Sequence, residues 1–241
     1  IGTSGDFQVL MTDATPDLNK LAPTVCYPLW TYQKDTIQEN SLFDSSETED
    51  RFLNLNEAFI TVCKEKYGKN FNLPSDIFYY VYGILHNSDY RSKFQNDLNK
   101  ELTRIPLPDD ARDFIQYAEA GRELADLHVY YESVEPWKDL KIEYSDDWNP
   151  ATTEAYKVQK MRYKKNGKTV DKSTIIYNSM ITISGIPETA HDYRLGSRSA
   201  IDWIIDRYQI KTHKESGIVN DPNDWADEHD DPTYIFDLLR R

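Results

Sequence analysis

Ile77-Phe78-Tyr79-Tyr80-Val81-Tyr82-Gly83-Ile84-Leu85-His86, followed by Arg104-Ile105-Pro106-Leu107-Pro108, decides how the rest of the chain is read. Ile77, Tyr80, Val81, Ile84 and Leu85 recur at helical spacing, and Ser75, after Pro74, takes the N-cap position. Asn87-Ser88-Asp89 interrupts and re-caps the chain. From Tyr90 the apolar residues Phe94, Leu98 and Leu102 come every fourth position among polar ones, which predicts an amphipathic surface helix. The two prolines of residues 104–108 exclude helix and predict an extended hinge. Beyond Asp109-Asp110 another helix presents Phe114, Ile115, Ala118, Leu124 and Leu127, with Gly121 small enough to admit a close neighbour. Two helical stretches about a proline-locked segment make a rigid scaffold, and none of these residues is chemically reactive.

Upstream, residues 7–12 alternate Phe7, Val9 and Met11 with Gln8, Leu10 and Thr12, the pattern of a half-buried strand. Residues 25–32 read as a second strand with Pro28 at an edge or bulge. Residues 39–50 hold five acids and no base and read as a loop. Asn56 caps a helix built on Phe59, Val62, Cys63 and Tyr67, and Gly68 supplies its left-handed stop. Downstream, residues 140–144 form a short strand, residues 156–178 a hairpin about Asn166-Gly167, and residues 173–184 continue as strand to Gly185-Ile186-Pro187. Ser199 caps a helix whose Ile201, Ile204, Ile205 and Tyr208 form one face against the sheet. Residues 217–225 are turn-rich, and a final short helix fits residues 234–239. The fold class is α+β with a mixed or mostly antiparallel sheet, and residues 1–241 read as a single domain without an internal linker.

A chain of 241 residues with 39% hydrophobic residues and 17 Tyr can bury a core. Its apolar runs are too short to span a membrane, and its first residues lack the form of a signal peptide. Beginning at Ile1 and ending at Arg240-Arg241, it reads as a piece of a longer polypeptide. Cys26 and Cys63, without CxxC spacing, read as two reduced core thiols of a cytoplasmic protein.

The net charge of −13 disfavours a polyanionic partner, but its distribution does not. Lys157, Lys160, Arg162, Lys164, Lys165, Lys168 and Lys172 set seven cations against one acid, Asp171, giving residues 157–172 a charge of +6 and the remainder −19. With Asn166-Gly167 as the turn, Arg162 faces Asp171 and Lys160 faces Ser173. Lys160, Arg162 and Lys164 then point to one side, and Met161, Tyr163 and Val170 to the other. Val158 and Ile175 share parity with the cations, so a bulge or strong twist has to separate the tip of the hairpin from its base. On charge alone, a solvated hairpin kept soluble by lysine weighs as much as a phosphate contact.

Reactive groupings are scarce. Asn166-Gly167-Lys168-Thr169 ends like a phosphate loop, but Arg162 stands at the first glycine and a hairpin surrounds it. His86, His128, His191, His213 and His229 lack metal-ligand spacing and read as caps, core hydrogen-bonders or surface residues. Asp221, Asp224, Asp227, Glu228, Asp230 and Asp231 lack a calcium-loop pattern. Glu135, Lys138, Asp139 and Glu143 are a loose, nuclease-like set of weak specificity.

The blocks 77–86, Tyr90-Arg91, 104–108, Ala120-Gly121-Arg122-Glu123-Leu124-Ala125-Asp126-Leu127-His128, Lys160-Met161-Arg162-Tyr163, Asp202-Trp203-Ile204-Ile205-Asp206-Arg207-Tyr208 and Ser216-Gly217-Ile218-Val219-Asn220-Asp221-Pro222-Asn223 resemble, in consistent order, the C-terminal specificity domain of Type ISP restriction-modification enzymes. The resemblance implies a parent polypeptide with a nuclease, an ATP-driven translocase and an adenine-N6 methyltransferase, served by S-adenosylmethionine, ATP and Mg. This region would help to read an asymmetric target in double-stranded DNA. Its frame also resembles other methyltransferase target-recognition domains, where loops are held in the major groove. The 241 residues contain neither an Asn/Asp-Pro-Pro-Tyr motif nor a complete Walker loop, so this chain is expected to be a reader without cofactor or catalytic residue. Its partners would be duplex DNA and the methyltransferase and helicase modules of the same polypeptide. Two other readings compete: a scaffold docking those modules, and a nuclease fragment.

Overall fold

The computed structural model describes residues 7–17, 25–32, 51–98 and 100–241, which fall into two compact units, Ile1–Val129 and Tyr130–Arg241. Both units mix helices with antiparallel sheets, the expected α+β class. The acidic run at residues 39–50 lies outside the described residues.

In the first unit, β1 (Trp30–Tyr32) pairs with β2 (Arg51–Leu53), so the strand expected over residues 25–32 is confined to its last three. Asn56 caps α1 (Glu57–Tyr67), accepting from Ala58 N and Phe59 N, and Gly68 ends it at φ 54°. The buried face of α1 is Ile60, Cys63 and Tyr67. Phe59 and Val62, the other apolar residues read in this helix, are exposed, because Tyr67 turns it toward Phe114 and stacks on its ring at 4.8 Å. Cys63 is fully buried, whereas Cys26, also expected in the core, is exposed.

Helix α2 (Asp76–His86) buries Ile77, Tyr80, Tyr82, Ile84 and Leu85. Ser75 makes no side-chain cap: hydrogen bonding already begins with Asp76 N to Leu73 O and Ile77 N to Pro74 O, so Ser75 sits in the helical region at φ −61°, ψ −20°. Asn87 does re-cap the chain, accepting from Tyr90 N at 2.8 Å. The helix expected from Tyr90 onward is broken at Phe94, where φ −110° and ψ 19° leave the helical region, into α3 (Ser88–Lys93) and α4 (Gln95–Leu98). Tyr90 and Leu98 are buried, but Leu102 is 79% exposed.

Residues 104–108 are extended, and three tyrosines hold them. Tyr90, Tyr80 and Tyr67 donate to the carbonyls of Arg104 (2.7 Å), Pro106 (2.5 Å) and Pro108 (2.8 Å). Alternate carbonyls of an extended chain point the same way, and proline has no N–H with which to join a ladder. Phenolic donors from α3, α2 and α1 therefore replace the missing strand partner, and the segment expected to be a hinge is pinned at every second residue.

Helix α5 (Ala111–Val129) buries Phe114, Ala118, Gly121 and Ala125 and crosses α2 where Gly121 meets Gly83. Leu127, expected on its face, is exposed. Residues 7–11 run extended beside this core with Phe7 and Val9 buried. The expected alternation is present, but only an isolated bridge at Gln8 forms in place of a strand.

The second unit is built on an antiparallel sheet ordered β3-β6-β5-β4, from β3 (Lys141–Tyr144), β4 (Arg162–Asn166), β5 (Thr169–Ile176) and β6 (Ile181–Ser184). The single strand expected over residues 173–184 is thus two strands and a turn. Asn178 makes that turn: its Oδ1 accepts from Met180 N and Ile181 N, and its Nδ2 donates to Ala155 O and Lys157 O. Such side-chain bonds compete with the strand ladder, and polarity patterns do not reveal them. Val158, Met161, Ile175, Tyr177, Ile181, Ile183, Ile235 and Phe236 form the core. The short β7 (Arg194–Leu195) and β8 (Arg198–Ser199) lead into α6 (Ala200–Arg207), whose Ile201, Ile204, Ile205 and Tyr208 pack on this core but are only half-buried. The chain continues through β9 (Lys211–Thr212), β10 (Val219–Asn220), α7 (Asn223–Glu228) and α8 (Tyr234–Arg240).

Asn223 joins this tail to the root of the hairpin. Its side chain is buried, accepts from Val158 N at 2.9 Å and donates to Val158 O at 2.8 Å, as a strand partner would. Asn223→Ala leaves both backbone groups of a buried residue unpaired, and is expected to lower unfolding free energy by about 1–2 kcal/mol in guanidinium titrations. An unchanged midpoint would mean that water replaces the amide without loss.

Candidate nucleic-acid interface

The cationic hairpin is β4–β5, at the edge of the sheet. Its turn is Gly167-Lys168, one residue later than the Asn166-Gly167 turn expected, with Gly167 at φ 63°. Asn166 then pairs with Thr169, Lys165 with Val170 and Lys164 with Asp171, so Asp171 opposes Lys164 and not Arg162. The expected irregularity is present: the register shifts between Tyr163 and Lys164, and Tyr163 pairs with Ile175 and Arg162 with Ile176. Residues 172–174 are the excess on β5. Asp171 turns back there to accept from Ser173 N and Ser173 Oγ, which hold its carboxyl below the usual range, with Lys164 adding to the effect.

The shift separates a wet tip from a dry base. Met161, Val158 and Ile175 are buried and Tyr163 half-buried, whereas Lys160, Arg162, Lys164, Lys165 and Lys168 are exposed. None of these five makes an ion pair among the described residues. The other two cations are engaged: Lys157 lies 3.0 Å from Glu154 and 3.3 Å from Asp227, and Lys172 lies 3.9 Å from Asp202 and over the Tyr163 ring at 5.7 Å.

Asp202 docks the hairpin on α6. Ser199 Oγ accepts from Asp202 N, and Asp202 Oδ2 accepts from Ser199 N, a reciprocal capping box. Asp202 Oδ1 also accepts from the Tyr163 hydroxyl at 2.8 Å. Burial opposes its ionisation, but the bonds from Tyr163 and Ser199 and the nearby Lys172 charge prevail and hold its carboxyl below the usual range. Burial, and then this bond to Asp202, push the Tyr163 phenol well above its usual range. His191 supports the same region, its Nε2 lying 3.1 Å from Lys172 O. The strand before β4 has a partner as well: Lys160 bridges Gln209, and Ile210 N donates to Gln159 O.

Charge reading thus located the hairpin and missed its supports, Asn178, Asp202, Gln209 and Asn223. Only the Ser199-x-x-Asp202 spacing carried a local signal for one of them. Among the described residues, no group of three or more His, Cys, Asp or Glu is placed to hold a metal ion, and no helix is long and apolar enough to cross a membrane.

Fold and surface define an α+β module that presents an ordered cationic ribbon at the edge of a small antiparallel sheet. The chain belongs to the Type ISP C-terminal specificity domain family, whose model matches residues 1–238. Three solved structures are among those it is similar to. A nuclease-deletion mutant of the Type ISP restriction-modification enzyme LlaGI, in complex with a DNA substrate mimic, is 46% identical over 70% of this chain and 12% of that one, with a TM-score of 0.59. The ATP-dependent Type ISP restriction-modification enzyme LlaBIII bound to DNA is 33% identical over 88% of this chain and 12% of that one, with a TM-score of 0.66. The DrdV–DNA complex is 28% identical over 98% of this chain and 22% of that one, with a TM-score of 0.74. This chain therefore spans a small part of each relative's length. No curated protein matches it.

Proposed function

We propose that the chain reads or positions a DNA duplex as the specificity module of a Type ISP restriction-modification polypeptide, with the β4–β5 ribbon tracking the phosphate backbone while other loops meet base edges. The observation that carries this is the set of five exposed cations, Lys160, Arg162, Lys164, Lys165 and Lys168, none of which makes an ion pair among the described residues, in a chain of net charge −13. In a chain so acidic a duplex is repelled least along such a stripe, so the ribbon favours one side of approach. The DNA-bound relatives support the same reading.

On this reading the two units serve one recognition function, and the chain acts in the cytoplasm. The methyltransferase, translocase and nuclease belong to other modules of the polypeptide, as do the sites for S-adenosylmethionine, ATP and Mg. Residues 166–169 favour that assignment, because they lead from strand to strand whereas a phosphate loop leads from strand to helix. A second reading, a scaffold docking those modules, draws on Phe59 and Val62, exposed on one side of α1.

Changing Lys160, Lys164 and Lys168 together to Glu is expected to weaken binding to every duplex. It should also flatten the plot of log affinity against log salt by about 0.9 for each phosphate that is no longer neutralised. Fluorescence anisotropy over a salt series measures both, and an unchanged slope would move the DNA-binding surface elsewhere.

A further inference from the structure

We infer that the β9–β10 ribbon, residues 211–220, is a second duplex-contacting element, directed at base edges in the major groove. The inference rests on the duplex-binding reading above and names a surface that the charge pattern alone did not mark.

All ten residues of this ribbon are exposed, yet it is well formed. Thr212 pairs with Val219 and Lys211 with Asn220; His213 N donates to Ile218 O and Gly217 N to His213 O, both at 2.8 Å. Ile218 is 67% exposed and Val219 55%, and Ile210 leads in beside them. An ordered ribbon that spends its apolar side chains on solvent contributes little to its own core, so its sequence is free for contact with something else.

Backbone pairing determines what that partner is. Through Lys160–Gln209 and Ile210 N to Gln159 O, the chain entering this ribbon lies directly beside the chain entering the cationic hairpin. The segments 157–172 and 207–220, distant in sequence, thereby meet at residues 159–160 and 209–210. The second segment is itself basic, with Arg207, Lys211 and Lys214 against Glu215, in a chain of net charge −13. Arg207 is exposed and stacks on Trp203 at 5.1 Å, and Lys211 is held by Asp206 O and its carboxylate at the root of the ribbon. A polyanion bound along the first segment is thus led onto the second.

The chemistry of the ribbon suits bases better than phosphates. The major groove admits a two-stranded ribbon, and Ile or Val there meets the thymine methyl group. Ser216 N donates to His213 Nδ1 at 3.3 Å, so Nδ1 accepts and Nε2 carries the N–H. That N–H, the Lys214 ammonium and the apolar pair make a short donor-and-methyl pattern at the exposed end, suited to the acceptors of guanine or thymine.

The test uses the full chain and a duplex pool with a randomised centre, sequencing the bound fraction. Wild type is expected to enrich a motif. Ile218→Ser with Val219→Ser should keep total binding and its salt slope within about twofold while lowering enrichment at one or more motif positions by about tenfold or more, and Lys214→Ala should lower enrichment at a motif position by more than it lowers total binding. Both variants change exposed side chains only, and an unchanged thermal transition confirms the fold. A motif left intact overturns the inference and returns the ribbon to contact with protein; so does a uniform fall in binding with the motif preserved. The Lys160, Lys164 and Lys168 reversal is read through total binding, so the duplex reading can fail or survive separately.

Discussion

Gly121→Ala is expected to destabilise the first unit by at least about 3 kcal/mol, although alanine is the better helix former by about 1 kcal/mol. A Cβ at 121 would stand 2.0 Å from Tyr79 O and 2.9 Å from Gly83 N. Both are backbone atoms, so no rotamer change makes room, and α2 and α5 have to separate. Separation pulls at the pair Arg122–Asp76, which meets at 2.6 Å, and lifts Arg122 from the Tyr79 ring, now 4.0 Å away. It also loosens the packing of Phe114 on Tyr80. Propensity and packing predict opposite signs, which makes the experiment decisive. Guanidinium unfolding followed by far-UV circular dichroism should show a large fall in midpoint for Gly121→Ala. A variant as stable as the parent would mean that the helices do not cross at these glycines.

Acidification is expected to weaken the same unit well before most carboxylates titrate. Burial, and then the neighbouring His86, lower the His128 pKa from 6.5 to about 4. The Tyr82 hydroxyl accepts from Met11 N at 2.9 Å and is hydrogen-bonded to His128 Nδ1. His86 lies with its ring 5.5 Å from that of His128 and is likewise shifted down, first by burial. A folded pKa below the unfolded one means that the unfolded chain binds the proton first. Stability is therefore complete above about pH 6.5 and is lost as pH falls toward about 4. For His128 the full loss is on the order of 3 kcal/mol, of which about 2 has gone by about pH 5, before a discount for partial exposure to water. Denaturation midpoints of wild type and His128→Gln between about pH 7 and 5 test this, and the variant should be flatter. Parallel curves would remove His128 from the account and leave the slope to His86.

Local signals were legible where the cause is local. Asn56 and Gly68 bound α1 by capping and by a left-handed stop, the prolines of residues 104–108 exclude helix, and the apolar period of residues 77–85 marks the buried face of α2. Gly121 was also readable, because a glycine inside a helical pattern costs stability unless something packs against it. The cationic hairpin stood out because seven charges within sixteen residues is a property of the chain itself. Ser75 and the break at Phe94 were not legible, since each depends on which hydrogen bond forms first and not on composition.

The sequence by itself determined the α+β class, the main helices, the basic stripe and the family. Tertiary structure alone decided the rest, because the deciding partners are far apart in the chain. The carbonyls of residues 104–108 take their donors from Tyr67, Tyr80 and Tyr90; Val158 takes its strand-like partner from Asn223; and the hairpin rests on Asp202. The turn at Gly167-Lys168 and the shift after Tyr163 settle which cations face water, and Lys160–Gln209 joins the chain entering the hairpin to the chain entering the β9–β10 ribbon. Strand pairing carries no local code beyond alternation, and one residue of slip exchanges the faces. Register had to come from the packing of Tyr163 and Ile175 against a core assembled from the whole unit.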